Sequence, residues 1–342
     1  MSVRILLRVL LGVASLFVVA VLVALAVILI PSIPTYTGPD PAVTGVRKRI
    51  VKVNGVKLHI AEAGKAERPL ILFLHGFPEF WYEWREYLPH FAAKGFYAVA
   101  PDQRGYNLSD KPTAISDYRI DVLVDDIAAL IRALGKKKAH IVGHDWGAMV
   151  AWGIAISKPE LVQKVVTINV PHPLVFADAI ANNPKQRRRS RYIKFFQLPL
   201  LPEKLLARNN WAQASKALIQ SSLPGTYPEK ILQHYRHAWS RPGAITSMLT
   251  WYRAVPKKMT AKQKKLYSNK VKPPLLLIWG AKDHALGVEM AKPSVALCKQ
   301  GRLEQINDAT HWVVHEKVKH LQTVIFRFFK QHTPSPKGTS SK

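Results

Sequence analysis

With 342 residues, 48% of them hydrophobic and 9% aromatic, the chain carries enough apolar material for a large buried core, which excludes a disordered polymer. Cys298 is the lone cysteine, so an intramolecular disulfide and cysteine-built zinc or iron–sulfur centres are excluded. A net charge of +28 fits an acidic polymer, an anionic lipid surface or a basic proteome, and where the charge sits decides between them.

Val9–Ile30 is an uninterrupted apolar run, long enough at about 1.5 Å per residue to cross the roughly 30 Å hydrocarbon layer. It predicts a single-pass anchor and a membrane localisation. A cleaved signal peptide has a shorter apolar core ending in small residues, whereas Pro31-Ser32-Ile33-Pro34 follows here. The side on which the folded domain lies stays open, because Arg4 and Arg8 on one flank balance Arg47, Lys48, Arg49 and Lys52 on the other. Residues 1–46 thus read as anchor and Pro/Gly/Thr-rich linker, and residues 332–342 as a polar tail.

Between them, Ile50–Val53 and Val56–Glu62 predict a hairpin around Asn54-Gly55. Apolar strands are expected at Leu70–Leu74, Tyr97–Ala100, Ala139–Val142, Val165–Ile168, Leu275–Trp279 and Leu303–Ile306, with helices such as Asp121–Leu134 and Ala148–Ser157 between them. Such alternation predicts an α/β fold, a mostly parallel sheet with helices on both faces. It lapses over residues 171–272, a helix-like, proline-punctuated stretch read as an inserted helical cap between core segments 47–170 and 273–331. The insertion holds 20 Lys/Arg against 3 Asp/Glu, or +17 of the net charge. With an anchor in the same chain, anionic lipid is the expected counterpart of that charge; no recognition motif accompanies it, so nucleic acid is not expected.

The strand Ala139–Val142 runs into Gly143-His144-Asp145-Trp146-Gly147 and then a helix, the strained strand-to-helix turn of a nucleophile elbow with Asp in the Ser position. A carboxylate there can attack carbon, and the helix N-terminus favours its charge; the bland reading is a helix-capping Asp. Its partners follow in the order acid, then base. Asp283 in Gly280-Ala281-Lys282-Asp283-His284 ends a strand, and His311 in Ala309-Thr310-His311-Trp312 lies in a loop after the last strand. A carboxylate is already ionised at neutral pH, so His311 is expected to act later, taking a proton from water while Asp283 fixes its tautomer. The oxyanion formed on Asp145 then needs backbone donors. Phe77 N–H, in His75-Gly76-Phe77-Pro78, and Trp146 N–H are the expected pair.

From about Arg47 to Phe329 these residues resemble the epoxide-hydrolase branch of the α/β-hydrolase family. The resemblance rests on His75-Gly76-Phe77-Pro78, Gly143-His144-Asp145-Trp146-Gly147 and the Asp283/His311 pair. Asp102-Gln103-Arg104-Gly105-Tyr106-Asn107 matches a further loop, with Asn107 where Gly is more usual. The resemblance implies hydrolysis of xenobiotic or lipid epoxides to diols through an ester on Asp145, with no metal or organic cofactor. It also implies that Tyr192 and Tyr252 donate to the epoxide oxygen. One alternative is a haloalkane or haloacid dehalogenase using the same Asp-His-Asp set, whose halide would need no proton. A second is an idle hydrolase-fold scaffold that binds lipid. The chain leaves the particular epoxide and the oligomeric state open.

Overall fold

Asn54 and Gly55 take positive φ, 44° and 77°, and turn strand β1 (Arg47–Val53) back onto β2 (Val56–Ala63) in an antiparallel hairpin. A computed structural model of the chain describes residues 5, 8, 12, 32–256 and 258–331. Six further strands follow: β3 (Leu70–Leu74), β4 (Tyr97–Pro101), β5 (Ala139–His144), β6 (Val162–Ile168), β7 (Leu275–Gly280) and β8 (Gly301–Ile306). They form an eight-stranded sheet in the order β1-β2-β4-β3-β5-β6-β7-β8, antiparallel at β1/β2 and β2/β4 and parallel from β4 onwards. This is the expected α/β-hydrolase architecture.

Burial explains the two kinds of strand sequence. Leu70–Leu74 and Leu275–Gly280 are buried at every position because helices cover both faces, so they read as continuous apolar runs. Edge strand β1 is mostly exposed and carries Arg47, Lys48, Arg49 and Lys52, charges that discourage pairing with another chain. Three of these have acidic partners: Lys48 contacts Asp40 and Arg49 contacts Glu62, each at 3.2 Å, and Arg47 lies 3.8 Å from Glu62.

Helices α1 (Tyr87–Ala93), α2 (Ile120–Ala133) and α3 (Trp146–Ser157) connect the central strands. Between β6 and β7 the described residues form seven helices: α4 (Pro173–Asn182), α5 (Pro184–Arg189), α6 (Arg191–Phe196), α7 (Leu201–Ser221), α8 (Glu229–Trp239), α9 (Ala244–Arg253) and α10 (Ala261–Tyr267). Helix α7 is broken at Arg208–Trp211, where Asn209, Asn210 and Trp211 have φ of 51°, 52° and 66°. The strained Trp211 is fully buried against Trp239 and donates its indole N–H to Ser240 Oγ at 2.6 Å. Helices α11 (Ala291–Ala296), α12 (Val313–Glu316) and α13 (Val318–Lys330) complete the chain order.

The expected membrane localisation is corrected. Among the described residues no helix is long and apolar enough to cross a membrane. A span needs about 20 predominantly apolar residues in one helix, and the 21-residue α7 carries Glu203, Lys204, Arg208 and Lys216 as well as its break. The run Val9–Ile30 lies outside the described residues apart from Gly12. With no such helix among the described residues, the argument for anionic lipid at the basic insertion loses its support.

Candidate active site

The turn from β5 into α3 holds Asp145 at φ 48° and ψ −122°, a conformation an L-residue adopts only under tertiary constraint. Close packing supplies the constraint. A Cβ on Gly147 would lie 2.0 Å from the Leu74 carbonyl oxygen, and one on Gly76 would lie 2.4 Å from the Asp145 Cβ. Both positions therefore require glycine, and the turn lifts the Asp145 carboxylate to the C-terminal edge of the parallel strands.

Phe77 N–H donates to Asp145 Oδ1 at 2.8 Å, as a donor for an oxyanion on that carboxyl must. Trp146 N–H is the first of α3 and so has no intrahelical acceptor. On the other side, His311 Nε2 lies 3.5 Å from Asp145 Oδ2. His311 Nδ1 is 2.7 Å from Asp283 Oδ2, which fixes the ring. Asp283 is itself held on every side: Oδ1 accepts from Ala285 N–H and Leu286 N–H at 2.7 and 2.8 Å, and Oδ2 accepts from Asn169 Nδ2 at 2.8 Å.

Burial alone would raise the Asp145 carboxyl, but the hydrogen bond and charge of His311, the charge of His144 and the Phe77 N–H outweigh it and hold it below its ordinary value. Asp283 is likewise lowered, against burial, by His311, Asn169 and Leu286 N–H. Burial would lower His311, yet the two carboxylates around it push it up to about 9. The three side chains form a line in which the imidazole faces one carboxylate at each ring nitrogen.

Tyr192 on α6 and Tyr252 on α9 come together above Asp145, with ring centroids 6.0 Å apart. Tyr252 packs edge-on against Phe77 and Trp146 at 5.2 and 5.1 Å, and Phe196 closes on it at 5.0 Å. Burial first, and then the Asp145 charge, raise both hydroxyls above the ordinary tyrosine value. Both hydroxyls therefore stay neutral beside the carboxylate.

All seven residues expected from sequence, Asp145, His311, Asp283, Tyr192, Tyr252, Phe77 and Trp146, thus converge. Sequence reading passed over Asn169, which bridges Asp283 and Gly280 N–H from a backbone φ of 54°. It also passed over the buried group Glu79, Glu83 and His144, whose donor atoms lie within 4.8 Å of one another, close enough to ligate a cation. Two glutamates four apart inside the aromatic stretch Pro78-Glu79-Phe80-Trp81-Tyr82-Glu83-Trp84 were the available signal for that group.

Residues 69–318 match the family described as the alpha/beta hydrolase fold. The chain is 42% identical to an AB hydrolase superfamily protein, YfhM, of Bacillus subtilis (strain 168), over 84% of this chain and 99% of that protein. It is 36% identical to epoxide hydrolase 4 of Mus musculus, over 83% of this chain and 79% of that protein. Among solved structures, an inhibitor complex of Bacillus megaterium epoxide hydrolase superposes with a TM-score of 0.74 at 33% identity, covering 83% of this chain and all of that one.

Proposed function

We propose, from the premise that this chain belongs to the α/β-hydrolase-fold family, that it hydrolyses epoxides to vicinal diols through a covalent ester on Asp145. The pair of neutral hydroxyls of part-buried Tyr192 and buried Tyr252 beside the Asp145 carboxylate is the observation that carries this reading. An opened epoxide leaves as an alkoxide and needs a proton donor, which a halide does not. The epoxide hydrolases among the relatives support it from a second direction.

In this mechanism Asp145 Oδ2 attacks an epoxide carbon from the side opposite the C–O bond that breaks, while Oδ1 stays on Phe77 N–H. A tyrosine hydroxyl protonates the departing oxygen. Esterification neutralises Asp145 and so removes one of the two anions that keep His311 protonated. The imidazolium then gives its proton to restore the tyrosinate to a hydroxyl, and the neutral imidazole is a base at the stage that needs one. His311 then takes a proton from water, and the hydroxide adds to the ester carbon. The oxyanion on Oδ1 is held by Phe77 and Trp146 N–H and collapses to expel the alkoxide, which takes the proton of the re-formed Asp145 carboxyl and leaves as the diol. Residues 171–272 serve as the cap that carries both tyrosines, and residues 47–170 with 273–331 as the core that carries the acid, base and nucleophile.

Single turnover in ¹⁸O-water tests the scheme. Label should enter the Asp145 carboxyl, since water attacks the enzyme ester and not the substrate. Label entering the diol on the first turnover would establish direct hydrolysis and refute the covalent route.

A further inference from the structure

His311 lies in a loop whose hold does not end at Asp283. Thr310, the residue before it, is buried, and on one side it presses on the end of β7: a Cβ on Gly280 would lie 2.1 Å from the Thr310 carbonyl oxygen. On the other side α12 begins directly after Trp312, and its single turn, closed by Glu316 N–H on the Trp312 carbonyl at 3.1 Å, brings the Glu316 side chain back to the loop. Thr310 N–H donates to Glu316 Oε2 at 2.7 Å. The Thr310 hydroxyl donates to Oε1 at 2.6 Å and accepts from Trp312 N–H at 3.2 Å.

The same carboxylate reaches the cap. Glu316 Oε1 also accepts from Leu223 N–H at 2.9 Å, and Trp312 donates its indole N–H to Ser221 Oγ at 2.8 Å. Ser221 ends α7 and Leu223 lies in the loop to α8, inside the insertion that carries Tyr192 and Tyr252. The hold on the base loop is therefore completed by the cap. A carboxylate suits this junction because it accepts all three hydrogen bonds and donates none.

We propose that Glu316 is a positioning residue for ester hydrolysis: it joins the His311 loop to the seated cap, so that the base is in place for water only while the α7–α8 loop is docked. The inference rests on the covalent reading above. Alkylation uses Asp145 on the elbow and the tyrosines on α6 and α9, whereas hydrolysis uses His311, the chain neighbour of Thr310. Loss of the junction therefore falls on the second step, where a base displaced by about 1 Å can cost about 10²-fold.

The test resolves alkylation from ester hydrolysis in the full-length protein by rapid-quench protein mass, with styrene oxide as the probe. In Glu316→Gln an amide oxygen placed on Thr310 N–H leaves the amide nitrogen facing Leu223 N–H, and the flipped amide faces Thr310 N–H instead, so either orientation parts the cap from the loop. Ester hydrolysis should slow by about 10²-fold and the adduct accumulate, with alkylation within about threefold of wild type. Leu223→Pro removes the cap's donor and leaves Thr310 held; Ser222 is already extended, at φ −110° and ψ 171°, as suits a residue before proline. It should slow hydrolysis by about tenfold or more and spare alkylation. In either variant, both steps slowed alike or hydrolysis unchanged marks a merely structural contact and overturns the inference. Where Glu316→Gln does not fold, Thr310→Val should repeat its loss and Thr310→Ser, which keeps the hydroxyl, should recover most of the rate; equal rates in the two overturn the inference. If the wild type forms no covalent adduct, the covalent reading falls and this inference with it; an adduct with hydrolysis unmoved in the variants removes this inference alone.

Discussion

Asp283→Asn probes the base without touching the nucleophile. In the wild type Oδ1 accepts from two backbone N–H groups and Oδ2 accepts from Asn169 and faces His311 Nδ1. An asparagine that keeps its oxygen on Ala285 and Leu286 must aim its amide nitrogen at His311 Nδ1 and at the Asn169 side-chain amide. The flipped amide would instead leave two backbone donors without an acceptor, at about 1–3 kcal/mol each, so the first orientation prevails. His311 Nδ1 is then forced to accept. The ring hydrogen moves to Nε2, which faces Asp145, and no lone pair remains there to take a proton from water. Wrong-tautomer substitutions of this kind cost about 10⁴-fold, equivalent to about 5.5 kcal/mol of barrier. Asp145 keeps its Phe77 N–H bond and remains ionised, so alkylation should persist. The assay is intact-protein mass after mixing with an epoxide: the variant should gain the mass of the substrate and hold it, while wild type turns over. Diol formation within about tenfold of wild type, with no adduct, would refute the tautomer argument.

Tyr192→Phe and Tyr252→Phe should each slow alkylation by about 10²–10³-fold and spare hydrolysis of the ester, and the double variant should be nearly inactive; pre-steady-state rates separate the two steps. Gly147→Ala places a Cβ 2.0 Å from the Leu74 carbonyl oxygen, so the elbow must shift; urea unfolding should record a loss of about 1–3 kcal/mol or more. His311 is raised from about 6.5 to about 9 on folding, so its contribution is complete below about pH 6.5 and is lost as pH rises through 9. The stability advantage of wild type over His311→Gln should therefore shrink by about 3 kcal/mol between pH 6 and pH 10.

The sequence by itself determined the parallel sheet and the elbow, because both are local constraints on the backbone. Unbroken apolar runs such as Leu70–Leu74 are the signature of strands covered on both faces, and Gly-x-Asp-x-Gly marks a turn too tight for side chains. Chain order picked out Asp283 and His311, and family resemblance picked out Tyr192 and Tyr252. Only tertiary structure decided that these distant residues converge on Asp145, and that Asn169, Glu83 and Glu79 stand behind them. A buried carboxylate has no local sequence signature: Glu83 reads like a solvated residue until folding buries it against His144 and the Gly76 N–H. Hydropathy alone carried the expected location: the apolar length of residues 9–30 was the sole support for a membrane pass, and no described helix supplies one. Periodicity and length report how a segment meets its solvent. Charge state and catalytic geometry depend on which groups desolvate one another, and folding alone sets that.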